Sequence, residues 1–248
     1  MQAFIIALQF LTRLPVFFSV DWKPRQVGLS LLYYPLVGLL LGAILLLLFR
    51  LLAGLSPMLA AVILLTVWVL ITGALHLDGL ADSADAWAGG LGDKQRSLEI
   101  MKDPRAGPLA VVVLVLLLLF KFSALHMMLE NNLWQALLIA PVLGRSMVIL
   151  FFLTTPYVRE QGLGSDMASY LPKKSAVLIL LLVMLALFGF VDLVTASVVS
   201  ITTLVIFICL RYLMMKRIAG MTGDTIGASI EIIEAGCLLA FVLVSVVV

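Results

Sequence analysis

Apolar residues run through this chain in blocks long enough to cross a bilayer, at about 28–49, 57–75, 108–129, 134–153, 175–190, 193–210 and 225–248. A helix needs about 20 mostly apolar residues to cross roughly 30 Å of hydrocarbon, so the pattern predicts about seven transmembrane helices. The fifth and sixth blocks are parted only by a short segment around Asp192, which predicts a tight helical hairpin. Residues 1–14 form a shorter block ended by Arg13 and Pro15. At about 1.5 Å per residue it is too short to span, and it is predicted to lie along the membrane surface. Trp22, in the loop Ser19–Val27, is placed as an interfacial anchor. Neither strand alternation nor an internal repeat is seen. The expected fold class is all-α: a polytopic integral membrane bundle with an N-terminal interfacial helix, in one membrane-embedded catalytic domain over residues 1–248.

Composition agrees with that pattern. The chain is 63% hydrophobic and 12% charged, with a mean hydropathy of +1.21, whereas a soluble domain is roughly half apolar and about a quarter charged. A net charge of +2 with no basic run gives no footing for a nucleic-acid partner. Cys209 and Cys237 both fall in apolar blocks and read as buried thiols. The first residues lack a basic stretch and a small-residue cleavage site, so no signal peptide is expected.

The basic residues orient the bundle. Alternating the loops puts Arg13, Lys23, Arg25, Lys94, Arg96, Lys102, Arg105, Arg159, Lys173, Lys174, Arg211, Lys216 and Arg217 on one side. Arg50 stands alone on the other, and Lys121 and Arg145 lie within spans. The positive-inside rule makes the rich side cytoplasmic. Three polar segments converge there: the island His76–Gly107, the loop Tyr157–Lys174 and the segment Arg211–Asp224.

The island, HLDGLADSADAWAGGLGDKQRSLEIMKDPRAG, carries the candidate chemistry as an active-site loop over residues 76–107. Asp78, Asp82 and Asp85 are spaced i, i+4, i+7, which puts all three on one helix face. Neighbouring carboxylates repel unless a cation sits among them, and hard divalent ions want oxygen ligands. A solvated acidic loop is the bland alternative. Against it, the triad follows directly on an apolar span, where idle carboxylates are costly. Downstream, Lys102 and Arg105 offer donors for phosphate beside Glu99 and Asp103. His76 is either a helix-end residue or an acid, base or donor to phosphate. In GMTGDTIGASIEIIE, Gly220, Gly223 and Gly227 form a small-residue stripe suited to close helix packing. Asp224 and Glu231 share a face there, with Glu234 one turn beyond Glu231. Arg145 is expected to pair with an intramembrane acid, Lys121 to pair or snorkel, and His126 to sit near the far interface. GLGSD at 162–166 reads as a flexible loop.

The segments HLDGLADSADAW, LEIMKDPRAG and TGDTIGASIEIIE, with FLTRLPV and YVREQGLG, resemble the signatures of the cobalamin synthase (adenosylcobinamide-GDP ribazoletransferase) family. The likeness runs from about residue 4 to 240, with Ala86, Lys102, Pro104 and Pro108 departing from the common pattern. It implies the last assembly step of coenzyme B12. There, adenosylcobinamide-GDP is joined to α-ribazole or α-ribazole 5′-phosphate, giving adenosylcobalamin or its 5′-phosphate and GMP. It also implies a Mg²⁺ cofactor and a site in the cytoplasmic (inner) membrane. On that reading Asp78, Asp82 and Asp85 hold metal, and Lys102 and Arg105 neutralise the leaving GMP. Asp82 or Asp103 is the general base, His76 assists, and Asp224 and Glu231 hold substrate or complete the metal site. Membrane lipids, a homo-oligomer and other corrinoid-assembly enzymes are the partners expected. A CDP-alcohol phosphotransferase is the nearest rival, although DGLADSAD does not match that class's aspartate spacing. A transporter is a third reading, set back by the absence of repeated halves.

Overall fold

The computed structural model describes all residues except Phe17, Ser19 and Val248; the outer ends of two expectations, at Ser19 and Val248, therefore lie outside the described residues. Among the described residues the chain is helical throughout. Its elements are α1 (Gln2–Leu11), α2 (Pro24–Ser30), a 3₁₀ turn (Leu31–Tyr33), α3 (Tyr34–Leu51), α4 (Pro57–Thr72), α5 (Leu75–Gly89), α6 (Lys94–Ile100), α7 (Pro108–Glu130), α8 (Gln135–Thr154), α9 (Leu163–Tyr170), α10 (Lys173–Phe190), α11 (Leu193–Ile218) and α12 (Gly223–Val247). Among the described residues six stretches are long and apolar enough to cross a membrane, Pro24–Leu51, α7, α8, α10, α11 and α12, and the bent pair α4–α5 makes a seventh when counted as one span.

Local chemistry sets the helix ends. Pro24, Pro35, Pro57 and Pro108 sit in first turns, where the missing N–H costs nothing. Ser56, Asp93 and Asp192 cap α4, α6 and α11 by accepting from Leu59, Arg96 and Thr195 N–H groups. Asp192 thus makes the tight α10–α11 joint that the pattern predicts.

The expected span at 57–75 takes a different course. α4 ends at Thr72, and Gly73 and Ala74 both adopt left-handed backbone, φ +63° and +55°. The chain turns by 85° into α5. At 16 residues α4 is only about 24 Å long. After that turn the polar island, an active-site loop in the sequence reading with its aspartates on one helical face, forms two helices, α5 and α6. α11 likewise continues to Ile218, beyond the expected end near residue 210, and residues 163–170, expected to be loop, form α9.

Small residues bring the central helices together. A Cβ on Gly42 would meet the Leu137 carbonyl at 2.8 Å, and Gly38 abuts the backbone of Pro141 just as closely, so α3 and α8 pack nearly backbone to backbone. The core splits into two clusters. One centres on Leu64, Trp68, Leu125 and Leu137, and the other on Leu31, Val148, Phe151 and Ile233. α1 buries Ile6, Ala7 and Leu11 against the protein. Outward-facing leucines and valines such as Val115, Leu116, Leu181 and Leu185 remain exposed on α7 and α10, as a lipid-facing surface requires.

Candidate active site

α5 is held where α12 begins. A Cβ on Gly79 would come within 2.6 Å of the Asp224 carbonyl, and one on Gly227 within 3.3 Å of the His76 Cα. The two glycines let α5 lie directly on the first turns of α12, which brings Asp78 and Asp224 to the rim of one cavity. Asp224 accepts from Arg159 Nη2 at 2.6 Å and from Thr222 Oγ1 at 3.4 Å. Arg159 is delivered by a backbone clasp in which Val158 N donates to Met221 O and Met221 N donates to Pro156 O, at 2.9 and 2.8 Å. Gly220 fits that clasp, lying against the Pro156 carbonyl.

Asp82 stands one turn beyond Asp78. Partial burial and the neighbouring charges of Asp78, Asp224 and Asp85 push its carboxyl up to about 6, with Arg159 opposing. Such a carboxyl is a far better proton acceptor near neutrality than an ordinary one. Asp85 is engaged elsewhere: its oxygens accept from the Gly107 and Ala110 N–H groups, so it caps α7. Among the described residues no three His, Cys, Asp or Glu side chains are grouped closely enough to hold a metal between them. The donor set nevertheless suits Mg²⁺, which usually takes one or two carboxylates and completes its shell with waters and substrate phosphates.

His76 lines the cavity and is 3% exposed, and neither ring nitrogen has a partner. Burial, with Arg145 and Lys121 nearby, holds it well below the usual imidazole range, so the ring is neutral. The remaining walls come from distant parts of the chain: Phe10, Tyr34, Val148, Phe152, Tyr157 and Met167 among them. Tyr34 donates to Met167 Sδ at 3.6 Å, and Tyr157 stacks on Phe152 at 6.1 Å between centroids.

The other predicted residues lie apart. Asp103 forms a two-pronged ion pair with Arg105 at 2.9 and 2.7 Å on the exposed surface, which pulls its carboxyl down to about 2. Lys102 lies in a shallow surface hollow with Glu99, Asp93 and Lys94. Among the described residues no hydrogen bond or ion pair joins Lys102 or Arg105 to the α5 aspartates. Glu231 sits deeper, 2.6 Å from Lys121, which also holds Glu234 at 2.6 Å; Arg145 pairs with the second oxygen of Glu234. Lys121 further rests 4.7 Å from the centroid of the Trp68 ring. His126 faces Glu130 one turn on, at 3.5 Å.

Of the residues proposed from sequence, the structure gathers Asp78, Asp82, Asp224 and His76 in one region, while the sequence reading passed over the cavity walls. Phe10, Val148 and Phe152 sit in apolar blocks where nothing distinguishes a cavity wall from core, and Met167 sits in the segment read as a loop. Arg159 carried a faint signal, as a basic residue of the YVREQGLG segment.

Fold and site together define an integral membrane protein with an acidic site at the loop-rich end of its bundle. The family model described as cobalamin-5-phosphate synthase matches residues 3–242. A protein of Stutzerimonas stutzeri named adenosylcobinamide-GDP ribazoletransferase is 51% identical over 245 residues, covering 98% of each chain. Proteins of the same name from Pseudomonas putida strain GB-1 and Pseudomonas fluorescens strain Pf0-1 are 52% and 51% identical, covering 98% and 96% of this chain and 99% and 98% of their own. No solved structure matches this chain. The chain is a membrane-embedded transferase and belongs to the cobalamin-5-phosphate synthase family.

Proposed function

We propose that this protein joins adenosylcobinamide-GDP to α-ribazole or its 5′-phosphate, releasing GMP, at the cytoplasmic face of the inner membrane. The observation that carries the reading is the acidic rim: Asp78 and Asp224 line one cavity, with Asp82 close enough to feel the charge of both, on the side where the loop lysines and arginines collect. A ribose hydroxyl attacks the phosphorus attached to the corrin side chain. The bond from that phosphorus to the oxygen of GMP breaks, and GMP departs. Such transfer is mostly positioning and charge neutralisation.

Asp82, one helical turn from Asp78, takes the proton of the attacking hydroxyl. Asp78 and Asp224 are the residues that would hold Mg²⁺, whose charge would offset that of the diphosphate. Arg159, anchored on Asp224, keeps that carboxylate in place. Lys102 and Arg105 add exposed positive charge to the segment between α6 and α7.

The test is GMP release from adenosylcobinamide-GDP and α-ribazole by purified protein in lipid-supplemented detergent. It is run with Mg²⁺, with EDTA, and with Asp82→Asn. Release is expected only from the wild type with Mg²⁺, and Asp82→Asn should lower the rate by about 10²–10⁴. Folded wild type that releases no GMP, but releases CMP from CDP-diacylglycerol, would replace this reading with the phospholipid-type transferase.

A further inference from the structure

We propose that the groove between α3, α8 and α10 binds one anionic phospholipid, with an acyl chain in the groove and the headgroup on Lys173 and Lys174. The site lies apart from the acidic rim and does not depend on the transfer chemistry.

The groove exists because α10 stands off from its neighbours. α3 and α8 are drawn together at Gly38 and Gly42, whereas α10 buries Ala176 and Leu187 and leaves most of its other apolar side chains exposed. The gap holds about 590 Å³, and every residue lining it is apolar, Leu32, Pro35, Leu138, Leu182 and Val183 among them. On α10 the lining runs from Ile179 to Phe190. At about 1.5 Å per residue that is about 16 Å, half of a hydrocarbon layer roughly 30 Å thick and the depth that one leaflet's chains fill. Aromatic side chains mark both ends, as they do at headgroup level. Tyr170, 50% exposed, lies just before α10, and Trp134 meets Phe190 edge to face at 5.9 Å. Water finds no partner in such a groove and a void forfeits dispersion contacts, so hydrocarbon fills it. A flexible chain suits it better than a helix. Helices approach one another over small residues, and here Ala186 stands among bulky Leu, Ile, Val and Phe side chains.

Charge selects the headgroup. Lys173 and Lys174 open α10, within about 9 Å of Ile179 along the helix axis. Both are exposed, and among the described residues neither has an ion-pair partner. Cations in the first turn of a helix oppose its dipole, so an anionic phosphate there offsets the lysines and the dipole together.

The test uses full-length protein stripped of lipid in a neutral detergent. Native mass spectrometry counts bound lipid, and thermal unfolding reads its effect. The probes are dioleoyl phosphatidylglycerol, dioleoyl phosphatidylcholine and glycerol 3-phosphate, which separate chain from headgroup charge. Wild type should retain one phosphatidylglycerol at about tenfold lower concentration than phosphatidylcholine, and unfold at a higher temperature with it. Glycerol 3-phosphate should do neither. Lys173→Gln with Lys174→Gln should bring the two lipids to equal retention. Ala186→Phe, at an exposed lining position, should weaken retention of both lipids by about tenfold. Leu181→Phe, on the outward face of α10, should change nothing. Equal retention of the two lipids by wild type, or retention that Ala186→Phe leaves intact, overturns the proposal. So does a lipid-free dimer that Ala186→Phe breaks, since a helix of a second copy would then be the occupant. The lysine variant alters exposed residues alone and keeps the test decisive where Ala186→Phe fails to fold.

Discussion

Two groups of charged side chains lie along α12, and they solve opposite problems. Deep in the bundle, Lys121 and Arg145 meet Glu231 and Glu234, two cations against two carboxylates, all 5% exposed or less. At the rim, Asp78, Asp82 and Asp224 have one guanidinium among them, Arg159, a formal excess of two negative charges. The inner group is closed, neutral and braced by an indole face. The outer one is open to solvent and lacks positive charge. Charge balance, more than the presence of acids in a membrane protein, separates a structural ion cluster from a reactive one. A buried charge survives only when paired, whereas a rim site can keep an imbalance that a bound cation and substrate then relieve.

The contrast is broken most severely at Glu234. Glu234→Gln leaves Arg145 without its carboxylate partner, and should cost about 3–5 kcal/mol, read as a large drop in thermal unfolding temperature in detergent. Asp224→Asn, at the rim, should instead leave the unfolding temperature within a few degrees while transfer is lost. Equal destabilisation by the two substitutions would erase the distinction. The helix contact that joins the regions is probed next: Gly79→Ala places a methyl against the Asp224 carbonyl and should cost about 1–3 kcal/mol by forcing α5 off α12.

The proton on Asp82 gives a smaller effect with a definite sign. The folded protein holds it to about pH 6, whereas an unperturbed carboxyl releases it near 3.8. Between those values the folded state binds more protons, so stability falls as pH rises through that window and levels off above it. Asp82→Asn should flatten this component of the unfolding profile between pH 4 and 7. A steeper slope in the variant would contradict the charge picture. Smallest of all, Asp103→Asn removes one partner of an exposed, solvent-screened pair and should leave the unfolding temperature unchanged within error. It should also leave the pH profile of transfer unmoved, because a carboxyl already held near 2 does not titrate in the working range.

Much of the site was legible before any coordinates. The i, i+4, i+7 spacing places Asp78, Asp82 and Asp85 on one face because a helix repeats every 3.6 residues, and α5 is a helix over all three. Gly227 reads as a packing residue and meets the backbone of His76. Asp85 was misleading, because spacing shows a shared face but not which neighbour claims a side chain, and the first turn of α7 claims this one. Glu231 misled in the same way: seven residues from Asp224, it shares that face yet is drawn inward by Lys121 from another helix.

Hydropathy and spacing therefore settle the membrane class, the side on which the charged loops gather, the helical face of the aspartates and the family signature, all of which are local or additive along the chain. Only the tertiary structure could break the 57–75 block by 85°, separate the balanced ion cluster from the acidic rim, and assemble one cavity from Phe10, Tyr34, Val148, Phe152 and Met167. The physical reason is that pairing, desolvation and cavity shape depend on which helices touch, and in a chain this apolar every helix presents much the same surface until its neighbours are known.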